Sequence, residues 1–201
     1  MNTRRCEWCP EHLSARHSHR ARFCSTRCRV AAHRASKKTA PAIPAELKTR
    51  DRWVRHTAKK VPLTTAGKAA SSTDPRTWGS YDEAARSSAG VGLGFVLSDV
   101  DDIVCIDLDG CVDPATGVLA PWAEDIIQAA GATFIEVSRS GTGLHVFGRA
   151  NVRQGRRIRR TGDVAVELYG TGRFIAITGV PFRDAPATLA DITALTARWA
   201  T

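Results

Sequence analysis

Three short segments carry side chains whose type and spacing could do chemistry. Residues 103–110 read Ile-Val-Cys-Ile-Asp-Leu-Asp-Gly, with Asp107 and Asp109 two positions apart. On a strand that spacing turns both carboxylates to one face. Side by side they repel unless a cation lies between them. A hard divalent ion such as Mg²⁺ or Mn²⁺ suits so oxygen-rich a site, although two solvated aspartates at a strand end would show the same spacing. Residues 164–169, Val-Ala-Val-Glu-Leu-Tyr, set Glu167 inside an apolar strand pattern. An acid there is costly to bury unless it is paired or metal-bound. As a third carboxylate it would complete a two-metal site. Residues 138–145, Ser-Arg-Ser-Gly-Thr-Gly-Leu-His, form the third segment. Gly141 and Gly143 permit a tight turn with exposed backbone N–H groups, and Ser138, Ser140 and Thr142 add hydroxyls. That makes a phosphate cradle, with His145 placed to donate to a phosphate oxygen; a glycine-rich hairpin with a half-buried histidine is the competing reading. Arg173, in Gly-Arg-Phe, suits a triphosphate or a surface salt bridge.

A different chemistry is written at the N-terminus. Cys6-x2-Cys9 and Cys24-x3-Cys28 stand 14 residues apart. Two close cysteine pairs across a short loop can place four thiolates at the corners of a tetrahedron around one Zn²⁺. A basic segment with so few large apolar residues builds little core, so the metal would supply folding energy. His12, His17, His19 and His33 are read as surface residues. Arg27, Arg29 and Arg34 fall on or after the second cysteine pair, on a helix that could meet phosphates. Cys105 and Cys111 are assigned to core packing and to a turn.

These groups need elements to position them. Residues 1–36 are read as the zinc finger, 37–50 as a linker with two prolines, and 51–201 as a globular domain. Strands are expected over Arg52–His56, Val91–Leu97 and Ile103–Leu108. Thr133–Val137 and Leu144–Gly148 should form a strand pair, as should Val164–Tyr169 and Phe174–Thr178. Helices are expected to start at Asp74-Pro75, over Tyr81–Ser87, from Pro121 to Gly131, and over Leu189–Trp199. The pattern gives an α+β domain with a mainly antiparallel sheet.

Charge separates the two parts. Of the chain's 29 Lys/Arg and 20 Asp/Glu, residues 1–50 hold 12 and 3, and the remainder holds 17 of each. A uniformly basic, histone-like protein is excluded; a basic module on a neutral domain points to a nucleic-acid partner. No secretory signal and no run long enough to span a membrane is present, which predicts a soluble cytoplasmic protein in which disulfides are disfavoured.

Taken in order, IDLD, SGTGLH and VELY resemble the archaeo-eukaryotic primase superfamily, and within it the bifunctional primase-polymerase domains of phages and plasmids. RWVRHTAKKVPLTTAGKAASSTDPRTWGSYDEA before them and GRFIAITG after them match the style of that group, over about residues 51–182. The resemblance implies an RRM-like catalytic core. It implies that Asp107, Asp109 and Glu167 bind two Mg²⁺ or Mn²⁺ ions and that His145 holds the triphosphate of the incoming nucleotide. Local pattern alone assigns Arg173 and Lys60 as further phosphate contacts. Arg153, Arg156, Arg157, Arg159 and Arg160, in RANVRQGRRIRR, are assigned to template or primer backbone, with a solvated basic loop as the alternative. The implied activity is synthesis of short primers on single-stranded DNA from nucleoside triphosphates. The sequence has no Walker A motif, so the expectation is either a replicative helicase acting in trans or a minimal enzyme. A DNA-binding replication initiator with an inactive primase fold, or a metal-dependent nuclease, are the other readings.

Overall fold

A computed structural model of the chain describes residues 4–14, 16–18, 21–29, 42–113, 116–153, 155–159 and 165–199. It divides into two compact units, residues 1–40 and 41–201. Among the described residues the larger unit holds nine strands: β1 (Trp53–His56), β2 (Pro62–Leu63), β3 (Gly92–Leu97), β4 (Ile103–Asp109), β5 (Ile135–Val137), β6 (Leu144–Arg149), β7 (Arg156–Arg159), β8 (Ala165–Tyr169) and β9 (Arg173–Ile177). They form two sheets, ordered β2-β1-β3-β9 and β5-β6-β4-β8-β7. Every pairing within them is antiparallel. The α+β expectation with a mainly antiparallel sheet therefore holds.

The central strand β4 explains the layering. Val104, Ile106 and Leu108 point one way, into a core shared with Ala123 and Ile126 of the helix Pro121–Ala130 and with Leu195 of a short helix, Thr193–Thr196. Ile103 and Cys105 point the other way, into a core with Phe95, Ile175 and Ile177 of the four-stranded sheet. One sheet face is thus covered by helices and the other by the second sheet. Both faces of β4 are buried until Asp107, where the inter-sheet face opens.

Local chemistry accounts for the helices. Ser80 and Glu83 make a reciprocal capping box for the helix Tyr81–Arg86, with Glu83 N–H donating to Ser80 Oγ and Ser80 N–H donating to Glu83 Oε2. Pro121 opens the helix that Gly131, at φ 67°, closes. Asp74-Pro75 starts a single 3₁₀ turn, with Asp74 accepting from the Arg76 N–H at 3.1 Å.

Three expectations are corrected. Within 37–50, residues 42–50 belong to the globular unit: Ile43 and Leu47 are buried in its core, and Ala45–Lys48 is a helical turn. Two prolines marked a linker, but the apolar residues between and after them are anchors. The segments 164–169 and 174–178 are not partners; β8 pairs with β4 and β7, whereas β9 pairs with β3. Gly170–Gly172 carries the chain from one sheet to the other, with Gly172 at φ 67°. A side chain on Gly170 would lie 2.1 Å from the Val152 carbonyl oxygen. The last helix begins at Thr193, not Leu189. Residues 188–192 run without a helical turn beside β6, where Phe134 N–H donates to Thr188 O, Arg149 N–H to Ala190 O and Ile192 N–H to Arg149 O. Backbone groups used that way cannot also close helical turns.

Candidate active site

One row of directly opposed residues crosses all five strands of the larger sheet. In register it runs Glu136 on β5, His145 on β6, Asp107 on β4, Glu167 on β8 and Arg157 on β7. Opposed residues share a face, so five ionisable side chains line up at the open end of the inter-sheet layer. Asp109 joins them from two positions along β4. The ligand oxygens of Asp107, Asp109 and Glu167 all lie within 4.8 Å of one another.

The row is held at its ends. Glu136, fully buried, receives His145 Nδ1 at 2.8 Å on Oε1 and the N–H groups of Thr178 and Gly179 at 3.0 and 2.7 Å on Oε2. His145 Nε2 then faces Asp107 Oδ1 at 3.7 Å. At the other end Arg157 Nε sits 2.6 Å from Glu167 Oε1, and the Tyr169 hydroxyl donates to Glu167 Oε2. Arg173 donates to the Tyr169 hydroxyl at 2.9 Å and lies over its ring.

Between these ends the acids are under-compensated. Asp107 Oδ1 is buried and has no hydrogen-bond partner among the described residues. Burial is the main force raising the Asp107 carboxyl above its usual range; His145 and Lys60 oppose it, and Asp109 and Glu167 add to it. A buried, unpartnered carboxylate oxygen beside two further carboxylates fits a hard cation. The same burial and the Glu167 contact push the Tyr169 hydroxyl up.

The row opens into a cleft of about 460 Å³ whose lining includes the three acids, His145, Lys60 and Arg173. Lys60 reaches it from the tight turn between β1 and β2, at φ 58°. Acids at the floor and two cations on the lining suit a phosphate-bearing ligand bound through metal. Another cleft, of about 570 Å³, has Asp99, Asp101 and Asp102 in its lining and lacks the cluster.

Other sequence-based assignments fall elsewhere. Ser140, Gly141 and Gly143 are not in the cleft lining. Their turn is folded on itself: Ser138, Ser140 and Thr142 hydroxyls form a chain with 3.0 and 2.9 Å links, and Gly141 N–H donates to Ser138 O. Gly143 is pressed on the end of β4, where a side chain would lie 2.7 Å from the Leu108 carbonyl oxygen. The turn therefore braces the Asp109 end of the strand. The arginine-rich stretch splits. Arg157 joins the carboxylate row, whereas Arg153 and Arg156 line a cavity of about 240 Å³ with Leu168 and Trp199. Arg156 is opposite Leu168 in register, which puts it on the helix-covered face. Arg160 and Arg34 lie outside the described residues, as does the side chain of Arg159.

In the smaller unit, Cys6, Cys9, Cys24 and Cys28 converge with their sulfurs within 4.8 Å of one another. The Cys9–Cys24, Cys24–Cys28 and Cys9–Cys28 separations are 3.5, 3.6 and 3.6 Å. Four sulfurs about 2.3 Å from a tetrahedral Zn²⁺ stand about 3.8 Å apart. Burial opposes ionisation of Cys6, but the backbone N–H groups of Cys24, Trp8 and Cys9 outweigh it and bring its thiol down to about 6. Contacts with Cys9 and Cys28 push Cys24 up to about 12. Four thiols this close cannot all ionise without a cation, so the donor set fits Zn²⁺. His17 is anchored instead to Ser14 and to the Cys24 carbonyl. Arg27 and Arg29 are exposed on the helical turn 26–29.

Glu136 and Tyr169 were not singled out by sequence. Glu136 carried the same signal as Glu167, one acid inside an apolar strand pattern, Phe-Ile-Glu-Val.

No family model matches the chain. It is 38% identical over 139 residues to a protein described as DNA Primase-polymerase from Nitratiruptor phage NrS-1, an alignment that covers 65% of this chain and 19% of that protein. The chain thus spans about a fifth of the length of the curated relative it matches. Among the described residues no helix is long and apolar enough to cross a membrane. The likeness is to a phage primase-polymerase, the class that the ordered motifs resemble.

Proposed function

We propose that residues 41–201 are the catalytic core of a DNA primase that makes short primers on single-stranded DNA from nucleoside triphosphates. The observation that supports this most is the cross-sheet row, in which three carboxylates and His145 share a cleft with Lys60 and Arg173. Asp107, Asp109 and Glu167 would hold two Mg²⁺ or Mn²⁺ ions, which at such sites activate the attacking hydroxyl and neutralise the leaving pyrophosphate. His145 presents Nε2 to the triphosphate. Lys60 and Arg173 bring positive charge to its remaining oxygens. Tyr169 and Arg157 keep Glu167 in place from two sides. The inter-sheet apolar core behind β4 fixes the strand that carries both aspartates, so the acids are pre-organised. The RRM-like description of this core comes from the superfamily resemblance.

The cysteine module would hold one Zn²⁺ and, with Arg27 and Arg29, add grip on nucleic acid. Phage or plasmid replication in a bacterial cytoplasm, with a replicative helicase as partner, completes the reading. It is tested by incubating the chain with single-stranded DNA, labelled nucleotides and Mg²⁺ or Mn²⁺. Wild type should yield short oligomers and the Asp107→Ala/Asp109→Ala protein none. DNA binding without any product from wild type overturns the proposal.

A further inference from the structure

The tryptophan of the cysteine module stands half in solvent. Residues 4–13 form a small hairpin: Arg5 and His12 are bridged, Leu13 N–H donates to the Arg4 carbonyl at 2.8 Å, and Cys6 N–H donates to the Glu11 carbonyl at 2.8 Å. Trp8 lies at its tip, between Cys6 and Cys9, and is 47% exposed. Trp53 of the larger unit shows the alternative, fully buried with its indole N–H donating to the Leu47 carbonyl at 3.0 Å. A unit so poor in apolar residues would gain most by burying its tryptophan. An aromatic face held outside by a hairpin is a contact surface for a partner.

The surroundings select that partner. Residues 4–29 hold seven arginines and two glutamates. Glu7, beside Trp8, is neutralised by Arg22, whose Nε lies 2.8 and 2.9 Å from its two oxygens. Arg5, Arg16, Arg27 and Arg29 are exposed. Arg22 also lies over the Phe23 ring, and with Arg29 these two line a cleft of about 440 Å³. Cations interleaved with aromatic faces suit a single strand, whose unpaired bases offer π-faces; in a duplex the bases are stacked on one another.

We infer that the cysteine module binds single-stranded DNA, with Trp8 as the platform on which one unpaired base stacks. This rests on the reading of that module as a nucleic-acid grip and adds which kind of strand it takes. The exposed arginines hold phosphates, which strand and duplex share. The indole adds affinity only where a base face is free, and it does so without reading sequence. The module would thereby tell an opened template from a duplex.

The zinc-loaded full chain is titrated with three labelled probes: a thymidine oligonucleotide, the same backbone carrying abasic sites, and a duplex. Trp8→Ala should weaken binding to the thymidine strand by about 10-fold, Trp8→Phe by less. Both should leave the abasic strand and the duplex nearly unchanged. The slope of log affinity against log salt should stay as in wild type for Trp8→Ala, and fall by about 0.7 per lost phosphate contact for Arg27→Ala/Arg29→Ala. Unchanged affinity of Trp8→Ala for the thymidine strand overturns the proposal. So does an equal loss on the thymidine and abasic strands. Should Trp8→Ala lose its zinc, wild type decides: irradiation with a 5-iodouracil-substituted strand should attach that strand to Trp8, and attachment only elsewhere overturns the proposal. If neither Trp8→Ala nor Arg27→Ala/Arg29→Ala changes any affinity, the grip itself falls and this inference with it. If only the arginine pair weakens binding, the grip stands and the role of Trp8 does not.

Discussion

Replacing Asp107 by Asn removes one charge from a cluster that has too many. The ligand oxygens of Asp107, Asp109 and Glu167 lie within 4.8 Å of one another. At an effective dielectric of 20, two like charges at that distance repel by about 3 kcal/mol. His145 at 3.7 Å offsets part of this for Asp107, and Arg157 offsets part for Glu167. A net relief of about 1–2 kcal/mol remains, which for a unit of this size corresponds to a rise in Tm of about 3–6 °C. The Asp107 carboxyl is raised, chiefly by burial. A raised carboxyl binds its proton more tightly folded than unfolded, so the metal-free protein loses stability as pH rises through that range. The advantage of Asp107→Asn should accordingly be largest at neutral pH and shrink as pH falls toward about 4, where the wild-type carboxyl is itself protonated. The assay is thermal unfolding in buffer passed over a chelating resin, with and without added Mn²⁺. Mn²⁺ should raise the wild-type Tm and leave the variant nearly unchanged. A variant that melts below wild type without divalent ions would show that Asp107 is a satisfied structural residue and refute the reasoning.

Arg157→Ala removes a cation beside Glu167 that competes with metal. Its side chain is 56% exposed, so the gain is screened; the half-saturating Mn²⁺ concentration should fall by about 2–5-fold in a fluorescence or relaxation titration. Cys24→Ser should cost zinc affinity beyond the about 10–100-fold typical of losing an outer partner, read by zinc analysis against one equivalent in wild type; unchanged zinc would remove the cysteine site. His56 is buried with Nδ1 at 2.9 Å from the Thr57 carbonyl oxygen, and burial holds its imidazole below the usual range. The unfolded chain then takes up its proton first, so stability is complete above about pH 6.5 and falls below it, by about 1.4 kcal/mol per unit of difference; His56→Gln should flatten the dependence of Tm on pH between 7 and 5.

How much of this was readable in the sequence depends on how local each feature is. Asp107 and Asp109 share a face because strand periodicity dictates it, and Glu167 stood out because an acid in an apolar strand needs a reason. Helix ends at Ser80, Pro121 and Gly131 follow from side chains within one turn. Strand partners do not. Val164–Tyr169 and Phe174–Thr178 look like a hairpin because a glycine-rich link joins them, yet Gly170–Gly172 crosses between sheets and the partners are β4 and β3. The row from Glu136 to Arg157 is a product of five registers, none visible locally. Leu189–Ile192 has helix-forming residues, but β6 at Arg149 takes their backbone groups. Ile43 and Leu47 read as linker residues beside two prolines until the core that receives them is known.

The central claim is that one sheet face binds metal-chelated nucleoside triphosphate. Its most direct test is a crystal grown with Mn²⁺ and a non-hydrolysable nucleoside triphosphate, examined by anomalous scattering. The account predicts manganese coordinated by Asp107, Asp109 and Glu167, and triphosphate oxygens against His145 Nε2, Lys60 and Arg173. Manganese bound away from these carboxylates, or a nucleotide seated in another cleft, would contradict it.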